Sequence, residues 1–67
     1  MMIDPNEQFI SLNDVIHKTS LSRSSIYELI GKGEFPTPVP IRSRKRSWLL
    51  SEVIEWMQGR LKERDRR

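Results

Sequence analysis

Cysteine is absent from this 67-residue sequence, glycine occurs three times and histidine once. Without a thiol there is no disulfide framework, no thiolate zinc site and no cysteine nucleophile, so nothing marks the chain as a secreted scaffold or a zinc finger. No second histidine completes a metal site, and neither a phosphate-cradling glycine loop nor a glycine-flanked nucleophilic serine is present. His17 lies one turn from Asp14, a pairing reminiscent of a catalytic dyad, but a surface neighbour of a helix cap is the better reading. The expectation is therefore a non-enzyme with no cofactor. Long apolar runs are missing as well. No stretch approaches the roughly 18–20 residues of a membrane span, and residues 1–10 have neither the basic start nor the apolar core of a signal peptide. A cytoplasmic protein with no membrane partner is expected. A chain this short holds one small core and about 3–10 kcal/mol of net stability.

What is present is charge, unevenly placed. Residues 1–40 carry three bases (Lys18, Arg23, Lys32) against five acids, whereas residues 41–67 carry nine bases against four acids. Such asymmetry points to a polyanionic partner contacted by the second half, nucleic acid being the usual one.

Local patterns divide the chain into a flexible arm over 1–8 and one domain over 9–67. Phe9 or Ile10 is expected to tuck against the body. Ser11 with Asp14 three residues on reads as the start of a helix, and Leu12, Val15 and Ile16 give it one apolar stripe as far as Lys18. A second helix is expected from Arg23 to Lys32, with Ser22 as cap, Ile26, Leu29 and Ile30 as stripe, and Gly31 and Gly33 at its end. Two short helices separated by three or four residues have the proportions of a helix-turn-helix. Pro36, Pro38 and Pro40 exclude helix over the next segment. Val39 and Ile41, the charged stretch 42–47, then Trp48 and Leu49 suggest a β-hairpin whose turn is the charged stretch. Ser51 is the expected cap of a third helix, with Val53, Trp56, Met57 and Leu61 buried, Glu52 and Glu55 near its start, and Lys62, Arg64, Arg66 and Arg67 near its end. Gly59 is expected to let the tail fray.

Two stretches carry binding chemistry. Arg42, Ser43, Arg44, Lys45, Arg46 and Ser47 put four cations into five positions with hydroxyls between them; a polyanion relieves their repulsion, and a tip arginine suits a narrow minor groove. Ser22, Arg23, Ser24 and Ser25 open a helix with hydroxyls and free backbone N–H groups that suit phosphate, while Arg23 and Tyr27 are placed to reach base edges. The plainer alternatives are a solvated basic loop and an ordinary serine cap. Trp48 and Trp56 offer themselves as base-stacking platforms, but their spacing beside Val53 and Met57 reads as core.

As a unit, LSRS-x-IY-x-LI from Leu21, then G-x-FP-x-PV from Gly33, then Trp48 and SEV-x-x-W from Ser51, resembles the AlpA family of phage and prophage DNA-binding regulators over about Phe9 to Leu61. The resemblance implies a mainly α fold with a small β-hairpin, a winged helix-turn-helix of the kind shared with excisionases and MerR-type regulators. It implies that the helix from Arg23 is the recognition helix, with Ser22, Arg23, Ser24 and Tyr27 on the family's helix motif, and that Arg44 is the wing arginine. Lys45 and Arg46 depart from the family pattern, so a wider, more cationic turn is expected, and Leu50 stands where an acid is common. The implied function is sequence-specific binding of double-stranded DNA as a prophage or genomic-island transcriptional regulator. The alternatives are an excisionase that directs an integrase and, less favoured, an adaptor that binds only protein, such as an integrase or RNA polymerase. Monomers in solution, copies side by side on DNA, and no small-molecule ligand are expected.

Overall fold

The computed structural model describes residues 3–66. The chain runs β1 (Phe9–Ile10), α1 (Leu12–Thr19), α2 (Arg23–Gly31), β2 (Val39–Arg42), β3 (Lys45–Leu49) and α3 (Leu50–Asp65). Met1 and Met2 of the expected arm, and Arg67 of the basic tail, lie outside the described residues.

The start of α1 is closed by a capping box: the Asp14 N–H donates to Ser11 Oγ at 3.1 Å and the Ser11 N–H to Asp14 Oδ2 at 3.3 Å. Asp14 thus serves the cap, and His17 is exposed. The helix stops at Ser20, whose left-handed backbone (φ 62°) ends the run while its N–H still reaches the Ile16 carbonyl. Thr19 ties the turn, its hydroxyl donating to the Val15 carbonyl and accepting from the Leu21 N–H. Ser22 then caps α2 through the Ser25 N–H at 3.1 Å. The three residues between the helices make the helix-turn-helix.

α2 ends in a Schellman motif. The Glu34 N–H bonds the Leu29 carbonyl and the Gly33 N–H the Ile30 carbonyl, with Gly33 at φ 73°, a conformation that L side chains resist. The motif delivers Phe35 into the core, where both flanking carbonyls find an indole: Trp56 Nε1 donates to Glu34 O at 2.8 Å and Trp48 Nε1 to Pro36 O at 3.0 Å. Phe35 also meets Trp56 edge to face at 4.8 Å. The proline-rich segment has few N–H donors of its own, so it is held by its carbonyls.

The sheet has three strands in the order β1-β3-β2, all antiparallel. Pro40 fits because β2 is an edge strand. The hairpin was expected, but β1 was not: Phe9 pairs with Leu49 and Ile10 with Trp48, and a strand of two residues leaves no alternation to read. The turn also differs from the expected wide one. β2 continues through Arg42 and β3 begins at Lys45, leaving only Ser43 and Arg44 between the strands, with Ser43 at φ 45°. A register shift between Pro40 and Arg42 marks a bulge at Ile41. Charged residues occupy these strand positions because the outer end of the hairpin is exposed on every side.

Leu49, not Ser51, is the N-cap of α3, and it has no side-chain acceptor to offer. The caps come from the other end of the chain. The Leu50 N–H donates to the Gln8 carbonyl, the Ser51 N–H to Glu7 Oε1 at 3.1 Å, and the Ser51 hydroxyl to Glu7 Oε2. These bonds, the hydroxyl first and the N–H second, hold the Glu7 carboxyl below its ordinary pKa. At the far end α3 runs past Gly59 to Asp65, and Leu61, expected in the buried stripe, is 50% exposed.

Ile10, Val15, Ile26, Phe35, Trp48 and Val53 form the core, one or more from nearly every element, and Leu12, Ile16, Leu21, Leu29, Ile30, Leu50, Trp56 and Met57 pack around them. Trp48 sits at the centre with no exposed surface. The result is a mainly helical winged helix-turn-helix in which β2, β3 and their turn are the wing.

Candidate nucleic-acid interface

The outer face of α2 presents Arg23, Ser24, Tyr27 and Glu28. Tyr27 is 42% exposed, and its ring meets Trp48 edge to face at 6.4 Å, so the buried indole fixes where the phenol stands. Trp48 is also the residue of β3 that follows the wing's basic run. One buried side chain thus belongs to the wing strand and touches the outer residue of α2.

Arg23 and Tyr27 of α2, Arg44, Lys45 and Arg46 of the wing, and Ser11, Leu12 and Asn13 at the start of α1 line one open groove of about 320 Å³, with Trp48 as its floor. The two stretches singled out in the sequence are separated by some twenty residues along the chain, and the structure joins them in one surface. Its charge is uncompensated. Among the described residues the ion pairs are Lys32 with Glu28, Arg64 with Asp65 and Arg66 with Glu63, so Arg23, Arg42, Arg44, Lys45 and Arg46 have no acidic partner. A surface of this kind gains most from a polyanion, because binding relieves mutual repulsion and releases condensed counterions.

Several expected site residues fall elsewhere. Ser22 is engaged as a cap, accepting the Ser25 N–H and donating its own hydroxyl to Ser25 Oγ at 3.0 Å. Ser25 is half-buried, whereas Ser24 is exposed beside Arg23. Arg42 and Ser43 are exposed on the wing but do not line the groove. Ser47 is a correction: it is 4% exposed, opposite Val39 on the central strand, and a ligand on the surface does not reach it.

Ser11, Leu12 and Asn13 were missed. They reach the groove because β1 pairs with β3 and brings the entry to α1 beside the wing. Asn13, exposed and amide-bearing, is the one of the three suited to hydrogen bonding with a ligand.

Among the described residues no three His, Cys, Asp or Glu side chains gather as a metal site, and no helix is long and apolar enough to cross a membrane.

Residues 8–61 match the family described as prophage CP4-57 regulatory protein (AlpA). The chain is also 50% identical over 60 residues to the uncharacterized protein ORF88 of Enterobacteria phage P4, a match that spans 90% of this chain and 68% of that protein. The matched segment takes in β1, both helices of the helix-turn-helix, the wing and α3 as far as Leu61. The chain belongs to the AlpA family of phage-type DNA-binding regulators.

Proposed function

We propose that the protein binds specific sites in double-stranded DNA and regulates transcription of prophage or genomic-island genes. α2 lies in the major groove, where Arg23 and Tyr27 face base edges and Ser24 a phosphate, and the wing rests on the adjacent backbone or minor groove through Arg44, Lys45 and Arg46. The observation that carries this reading is the shared groove, in which Arg23 and Tyr27 of α2 and three wing cations without an acidic partner line one surface. Cations on the wing supply affinity that any sequence satisfies, while Arg23, forked and at the helix start, supplies discrimination. A single module of this size covers only about 600–1,000 Å² on DNA, so copies bind side by side to reach regulatory affinity.

The test is a salt series of binding isotherms on genomic fragments flanking the gene, against random duplex of equal length. A preference of about 10³ or more for one fragment that persists as salt rises is the expected result. Arg23→Ala is expected to lose about 1–3 kcal/mol on the preferred fragment and much less on random duplex. Equal losses on both remove Arg23 from base reading, and equal, steeply salt-dependent binding to every fragment leaves only a basic surface.

A further inference from the structure

The pairing of β1 with β3 sets Ile10 opposite Trp48, and Ser11 alone separates Ile10 from the first residue of α1. That end of α1 is held firmly. The capping box closes Ser11 on Asp14, the Val15 N–H bonds the Ser11 carbonyl, and Val15 itself is fully buried. The Ser11 hydroxyl and the Asp14 carboxylate are thereby spent on each other's backbone. Asn13 lies between them, exposed, and its side-chain amide makes no hydrogen bond among the described residues. The helix has no need of it, since Ser11 is the cap and asparagine is a poorer helix former than alanine or glutamate. Yet Asn13 lines the groove shared by Arg23 and Tyr27 of α2 with Arg44, Lys45 and Arg46 of the wing.

We propose that Asn13 donates its Nδ2–H to a phosphate of the DNA strand that passes between α2 and the wing, and so fixes the register of both on the duplex. This deepens the proposed function and rests on it. With α2 in the major groove and the wing on the adjacent backbone, the strand between the two contacts passes over the groove they line, and Asn13 borders that groove from a third side. The first helix of a helix-turn-helix crosses the backbone when the second lies in the groove, which sets the same partner before Asn13. A phosphate offers only acceptors, and side-chain amides are among the groups that bond it. The four cations of the groove supply attraction, but on long stems that follow a phosphate through several positions. A short neutral donor on a fixed helix end adds direction without adding charge.

Asn13→Asp separates this contact from a merely structural role, because the two predict opposite signs. An acid in the first turn suits the helix dipole, so thermal stability is expected to be unchanged or slightly raised. On DNA the same change sets a charged oxygen against a phosphate, and binding is expected to weaken at least about tenfold. Gln58→Glu, the same change of charge at an exposed position of α3 away from the groove, is expected to cost no more than about twofold. Asn13→Ala is expected to bind about three- to tenfold more weakly, on the preferred fragment and on random duplex alike. Its salt slope is expected to stay unchanged, since a neutral donor displaces no counterion, whereas loss of a wing cation lowers the slope. Ethylation of single phosphates in the preferred fragment is expected to show one position that hinders the native chain and leaves Asn13→Ala indifferent. Native-like binding by Asn13→Ala, with Asn13→Asp no weaker than Gln58→Glu, overturns the contact. A loss confined to the preferred fragment, with every ethylation signal kept, overturns the phosphate as its partner and makes Asn13 a base reader. Should the native chain bind all duplexes equally, specific recognition fails while the losses on random duplex still decide the role of Asn13; a native chain that binds no duplex overturns both.

Discussion

Arg46 and Trp48 stand two residues apart on β3, yet the first is an exposed cation on the wall of the groove and the second its fully buried floor. The floor is held by packing and by hydrogen bonds: the indole N–H on the Pro36 carbonyl, the ring against Tyr27, Ile10 paired alongside. Among the described residues the wall has no partner of opposite charge. Floor residues therefore act on the folding equilibrium and on binding only through it. On the proposed reading wall residues act on binding, and they slightly oppose folding through mutual repulsion. One short strand carries both sets because its outer end projects beyond the core and its inner end crosses it.

The largest expected effect breaks the floor. Trp48→Ala removes the central buried side chain at a loss of about 3–5 kcal/mol. That is comparable to the whole stability of about 3–10 kcal/mol expected for a chain this short. The variant is expected to be largely unfolded at 37 °C by circular dichroism, and to lose specific and non-specific DNA binding together. A well-folded variant that loses only DNA binding would move Trp48 from the floor to the wall.

Arg44→Ala with Lys45→Ala sharpens the other side. Thermal stability is expected to stay within about 0.5 kcal/mol, as for exposed positions generally. The slope of log affinity against log salt is expected to fall by about one unit for each residue that contacts a phosphate, on all sequences alike. Titration at several salt concentrations reads this directly. An unchanged slope removes both residues from the backbone.

Gly33→Ala is the intermediate case, because Gly33 touches neither set but aims the segment that the two indoles grip. No atom lies within 4 Å of an added Cβ, so the strain is that of the left-handed backbone alone, about 1–2 kcal/mol. Chemical denaturation is expected to show that loss, with the affinity of the folded fraction unchanged.

Much of this fold was legible because the sequence writes it locally. The capping box at Ser11 and Asp14, the Ser22 cap and the glycines ending α2 act over three or four residues, and the apolar stripes of α1 and α2 repeat within one turn. The candidate site was legible as two separate stretches for the same reason. What was not legible depends on pairing at long range. β1 has two residues and no pattern, so neither the third strand nor the place of Asn13 in the groove has a local sign. Ser47 reads as one more hydroxyl in a basic run until the central position of β3 covers it. The short turn at Ser43 was hidden by a serine accepting the backbone that glycine usually supplies.

Glu7 and Ser51 are the furthest-reaching instance, and the smallest expected effect. Leu49 continues the sheet into the core and leaves α3 without a polar cap, so the carboxylate arrives from a position 44 residues earlier in the chain. Glu7→Gln keeps an acceptor for Ser51 but removes the negative charge at the positive end of the helix dipole. The Glu7 carboxyl titrates lower in the folded chain than its ordinary value of about 4.3 in the unfolded one, so its contribution is fully present above that value. It is lost as pH falls through the lower folded value, where the native carboxylate takes up its proton. Because the group is exposed, the difference is small at any pH. The native chain is expected to melt slightly above Glu7→Gln at neutral pH, and the gap is expected to close on acidification below the ordinary glutamate range. A gap that persists unchanged into strong acid would assign the bond to the geometry of the acceptor and not to its charge.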